Sequence, residues 1–63
     1  MMTRRDYVRA AQIFHKHYET HDEWSKGELD MFWLLVGDFS VWFAHDNKNF
    51  DNKRFTKAVR DGA

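Results

Sequence analysis

The chain has no cysteine and no proline, and only three glycines among its 63 residues. Without cysteine, no disulfide can supplement a small core, and cysteine-based zinc sites are excluded. Without proline, nothing in the sequence forces a helix to break in its interior. Gly27, Gly37 and Gly62 are too scattered to form a loop that cradles phosphate. Long apolar runs are scarce too. Residues 31–44 are largely apolar, but Asp38 and Ser40 interrupt them, and a bilayer span needs about 20 apolar residues. The opening MMTRRDYVRA has arginines but no apolar stretch behind them, so it does not read as a secretory leader. The expectation is one small, soluble domain of cytoplasmic type, with no membrane contact.

What is present is concentrated in one stretch. Trp24–Ala44 holds all three tryptophans, three of the six phenylalanines and every leucine. Each buried aromatic side chain hides about 150–250 Å² at roughly 25 cal/mol per Å², so this stretch dominates the folding free energy.

The spacing predicts an all-α module of three helices. Helix 1 covers about residues 4–19, with Thr3 as N-cap, Asp6 as the capping-box acid and Met2–Tyr7 as a hydrophobic staple. Tyr7, Ala10, Ala11, Phe14 and Tyr18 fall on one arc. In THDEWS two helix starts compete, Thr20 with Glu23 and Ser25 with Glu28. The second is preferred, because Trp24 and Leu29 then stand at staple positions. Helix 2 covers about 26–45 and helix 3 about 52–61, the latter capped by Asp51, stapled by Phe50 and Phe55, and ended by Gly62.

Helix 2 is apolar on two sides. Leu29, Phe32, Leu35, Val36, Phe39, Trp42 and Phe43 are expected to meet helix 1. Trp33, Leu34, Gly37, Val41 and Ala44 are left on the other side, where they form a candidate dimer or partner interface with Gly37 giving close backbone approach.

Charge is segregated although the net charge is zero. Residues 1–18 carry +3, residues 19–46 carry −6 and residues 47–63 carry +3. The layout predicts that successive helices attract one another. Lys53, Arg54, Lys57 and Arg60 form a possible basic face on helix 3, which suits phosphates in an alternative reading as a nucleic-acid-binding regulator.

Catalytic signatures are absent. No paired-carboxylate motif or nucleophile elbow occurs, and His45 beside Asp46 has no cysteine to activate. Asp38 reads as solvent-exposed at the flank between the two apolar sides, with a buried pair to an Arg or Lys of helix 1 or 3 as the alternative that costs desolvation. His17 and His21, four residues apart, suit a helix end better than zinc, which needs three or four ligands. The reading is therefore non-enzymatic, with no cofactor and no metal.

The run Phe43-Ala44-His45-Asp46-Asn47-Lys48-Asn49-Phe50-Asp51-Asn52-Lys53-Arg54-Phe55 resembles a pattern in small proteins of tailed bacteriophages, Phe-Ala-x-Asp-Asn-x-x-Phe-Asp-x-x-Arg-Phe. Thr3-Arg4-Arg5-Asp6-Tyr7 is similar to their starts. Size and character also look like early-region proteins of lambdoid phages. Helix 2 departs from those relatives in being more aromatic. The resemblance implies an accessory protein in the host cytoplasm that binds itself as a homodimer, a host protein, or both, and modulates host physiology or phage development. It brings no catalytic residue.

Overall fold

Thr3 stands in extended backbone (φ −101°, ψ 171°), and α1 begins at the next residue, spanning Arg4–Tyr18. Asp6 secures that start, its carboxylate accepting the Thr3 N–H at 2.8 Å and the Thr3 hydroxyl at 3.3 Å. Of the two competing starts in the following segment, the preferred one opens the helix. Thr20 precedes a single 3₁₀ turn, His21–Glu23, and Ser25 then caps α2, Lys26–Asp46. The Ser25–Glu28 capping box is reciprocal: Ser25 Oγ accepts the Glu28 N–H at 3.2 Å, and Glu28 Oε1 accepts the Ser25 N–H at 3.0 Å.

Asn47 turns the chain by accepting the Asn49 N–H at 2.9 Å. Asp51 then caps α3, Asn52–Asp61, by accepting the Arg54 N–H at 3.1 Å. The staple above that cap is formed, with the Phe50 and Phe55 rings 5.5 Å apart. Gly62 closes α3 in the left-handed region (φ 78°), its N–H donating to the Ala58 carbonyl at 2.8 Å. This computed structural model describes residues 2–62, and among them there are three α-helices and no strand. The fold is the all-α, three-helix module that the sequence predicts.

Each helix supplies two side chains to the buried core: Tyr7 and Ala11, Val36 and Phe43, Phe55 and Val59. Phe43 is its hub, with ring centroids 4.9 Å from Tyr7, 5.5 Å from Phe50 and 5.4 Å from Phe55. A second aromatic cluster joins α1 to α2 at the other end. Phe32 meets Phe14 edge-on at 5.9 Å and Tyr18 at 5.2 Å, while Trp24 closes over Phe32 at 5.2 Å. Ser40 is buried between Val36 and Phe43, and its hydroxyl donates to the Val36 carbonyl at 3.0 Å, so it leaves no unpaired group in the core.

Two expectations are corrected. The first is the rotation of α2. Leu35 and Trp42, expected inside, are exposed, whereas Trp33, expected outside, is half-buried against Tyr18 at 5.3 Å. With apolar residues on both sides, the periodicity leaves the helix phase open. Tyr18 takes both Phe32 and Trp33, which centres Val36, Ser40 and Phe43 and turns Leu35 and Trp42 outward.

The second correction is electrostatic. The most closely packed pair is α1 with α3, the two basic segments. The close contacts between ionisable side chains of opposite type among the described residues are Arg60–Asp61 at 3.5 Å and His21–Asp22 at 3.4 Å, the latter an ion pair only with His21 protonated, and each joins chain neighbours. None joins two helices. Apolar burial decides the packing, and like charges are brought together against their mutual repulsion.

Candidate interaction surfaces

The outward side of α2 carries Met31 (66% exposed), Leu34 (63%), Leu35 (48%), Val41 (58%) and Trp42 (55%). Their spacing of three, four and seven residues makes them neighbours along one helix face. Asp38 lies among them and is exposed, as its sequence position suggested. Contiguous exposed apolar patches of this kind often mark binding sites. The whole chain exposes 4989 Å², against about 4,300 Å² expected for a compact 7.7 kDa monomer.

Of the residues expected on this face, Leu34, Gly37, Val41 and Ala44 are exposed. Trp33 is the exception, being packed on the core. A Cβ placed on Gly37 would meet nothing within 4 Å, so no part of this chain approaches that backbone. Sequence reasoning missed Met31, Leu35 and Trp42. Ser40 was the available signal: a small polar residue able to satisfy itself on its own helix can mark the buried line, and Leu35 and Trp42 lie about 140° and 200° from it at 100° per residue.

A second feature lies on the side away from α2. α1 and α3 wall a groove of about 850 Å³, floored by Tyr7, Ala11, Phe50, Phe55 and Ala58 and lined by no residue of α2. Arg4, Lys16, Arg54 and Lys57 stand around it. Of the possible basic face, Arg54 and Lys57 reach the groove, Lys53 lies outside it, and Arg60 pairs with Asp61.

The remaining polar side chains hold the fold. Asp46 accepts the Met2 N–H at 2.7 Å and the Tyr7 hydroxyl at 3.2 Å, while the adjacent His45 is exposed. Burial, then the hydrogen bond to Asp46 and its negative charge, raise the Tyr7 phenol above its usual pKa. Hydrogen bonds from the backbone and side chain of Ser25 lower the Glu28 carboxyl below its usual range. His15 packs across the end of α3 with Nδ1 2.9 Å from the Val59 carbonyl. His21 stacks flat on Tyr18 at 4.0 Å and sets Nδ1 2.8 Å from the Tyr18 carbonyl, which takes that nitrogen out of reach of a ligand. Among the described residues, no three His, Asp or Glu side chains gather as a metal site would require.

No helix among the described residues is long and apolar enough to cross a membrane. No protein-family model matches the chain, and neither a curated protein nor a solved structure does.

Proposed function

We propose that this chain is a non-enzymatic protein–protein interaction module that pairs through the outer face of α2. The carrying observation is the row Met31, Leu34, Leu35, Val41 and Trp42, five large apolar side chains about half or more exposed on one continuous helix. A second copy is the simplest supplier of a matching surface, because an isologous contact sets the same apolar face on both sides of a two-fold axis. The open backbone at Gly37 supports close approach by a partner helix. The resemblance of residues 43–55 to small tailed-phage proteins supports a role in host cytoplasm, modulating host physiology or phage development, with a host protein as a further partner of the same face.

Sedimentation equilibrium at tens of micromolar tests the pairing. A species of twice 7.7 kDa is expected, and a lone 7.7 kDa species across that range overturns it. Leu34→Glu with Val41→Glu changes only exposed positions and should give the monomer. Gly37→Leu is a second probe: its side chain enters open space in the single chain and gains about 1 kcal/mol of helix propensity. Loss of pairing in that variant therefore reports on the interface rather than on folding.

A further inference from the structure

The fold brings its two basic segments together. Close packing of α1 against α3 sets Arg4 and Lys16 across from Arg54 and Lys57 around one groove, and none of the four is in an ion pair among the described residues. Two carboxylates, Glu19 and Asp51, also line it, and Asp51 is engaged in capping α3. The rim is thus net positive, and convergence of like charge there opposes folding slightly.

Between the charges the groove is apolar. Tyr7, Ala11 and Phe55 form its buried floor, Phe50 and Ala58 are partly open, and Val8 stands exposed on the α1 wall. Arg4, Val8, Gln12 and Lys16 run along that wall at intervals of four, a single line down the helix. The line spans about 18 Å at 1.5 Å per residue, and α3 is about 15 Å long, so the groove accepts two to three turns of helix. The small residue Ala58 marks the α3 side and lets a backbone come close.

We propose that the α1–α3 groove is a docking site for an acidic amphipathic helix of a partner protein. The apolar side of that helix sits on Val8, Phe50 and Ala58, and its flanking carboxylates meet Arg4, Lys16, Arg54 and Lys57. Helix-in-groove recognition joins an apolar anchor row to a charged rim. A nucleic-acid backbone would use the cations and leave the apolar strip in water, which is why the peptide is the better fit. The site is on the opposite side from the outer face of α2 and stands whether or not the chain dimerises.

Fluorescence anisotropy with a labelled peptide of about 15 residues tests it, with Leu at i, i+3, i+4 and i+7 and Glu on the flanks. Three counter-probes are used: a scrambled peptide of the same composition, the same pattern with Lys for Glu, and a duplex DNA of about 20 base pairs. The expected result is saturable binding of the acidic amphipathic peptide, about tenfold or more tighter than either peptide control. Arg54→Glu with Lys57→Glu should abolish it, and Val8→Asp, at an exposed position, should weaken it while the helical circular dichroism is unchanged. Lys53→Glu, on α3 but outside the groove, should bind as the parent does. Equal binding of the scrambled peptide would reduce the groove to general charge attraction and overturn the proposal. So would duplex DNA binding as tightly as the peptide, with Lys53→Glu weakening it equally, since a phosphate surface counts every cation.

Discussion

The Tyr7 hydroxyl donates to the Asp46 carboxylate at 3.2 Å, across 39 residues of chain. The same carboxylate oxygen accepts the Met2 N–H at 2.7 Å. A carboxylate at the last residue of a helix faces the negative end of the helix dipole, an unfavourable place. Asp46 stands there and ties the start of α1 to the end of α2.

Replacing that carboxylate strands two donors at once. Asp46→Ala is expected to cost about 1–3 kcal/mol, read as a lower urea midpoint with an unchanged slope. Tyr7→Phe should destabilise less, because Asp46 keeps the Met2 amide. The Tyr7 phenol is raised by burial and by Asp46, so its contribution is complete below the unfolded value of about 10 and is lost as pH rises through the folded one. Stability should therefore fall above about pH 10, and the alkaline loss should be shallower in Tyr7→Phe.

The start of α2 responds to acid. Glu28 is lowered by its hydrogen bonds to Ser25. Its contribution is present above the unfolded value of about 4.3 and disappears as pH drops through the folded one. Ser25→Ala should cost about 0.5–2 kcal/mol at neutral pH. Thermal melts between pH 7 and pH 3 should lose less stability in Glu28→Gln than in the parent, and equal losses would mean the box is not formed in solution.

α3 depends on its cap and its staple. Asp51→Ala should cost about 0.5–2 kcal/mol, and Phe55→Ala about 3–5 kcal/mol, since Phe55 is buried against Phe43 and Phe50. Chemical denaturation followed by tryptophan fluorescence reads both. Unchanged midpoints would make α3 an undocked tail.

The far end of α3 has its own lock. A Cβ on Gly62 would lie 2.7 Å from His15 Nε2, and the glycine occupies left-handed backbone. Gly62→Ala is expected to cost about 1 kcal/mol or more, and amide exchange should speed up in the last turn of α3. His15→Ala removes the ring 2.9 Å from the Val59 carbonyl and should loosen that turn too. Combining the two should cost less than the sum, because the alanine methyl then finds room.

The helix ends were legible because capping is local. Thr3 with Asp6, Ser25 with Glu28, Asp51 with Arg54 and Gly62 with Ala58 each act within a few residues, and each end falls within one residue of its expected position. The rotation of α2 was not legible, for it is settled by contacts distant in sequence. Tyr18 selects Trp33, and the Tyr7–Phe43–Phe55 cluster selects the line through Val36. Part of the candidate α2 surface followed from spacing alone, namely Leu34, Gly37, Val41 and Ala44. Met31, Leu35 and Trp42 required knowing which side the core had taken. The groove was out of reach for the same reason: nothing local says that two like-charged helices will lie side by side.

That side-by-side arrangement gives the molecule an electrical axis. It carries no net charge, but positive charge collects along α1 and α3 while the acidic groups gather between residues 19 and 46. A uniform field therefore does not pull such a body; it turns it. Near an anionic surface the chain rotates its α1–α3 side forward, and near a cationic one it rotates the other way. Which face a partner meets is thus selected by torque at a distance of about one Debye length, roughly 8 Å in physiological salt, before any side chain touches.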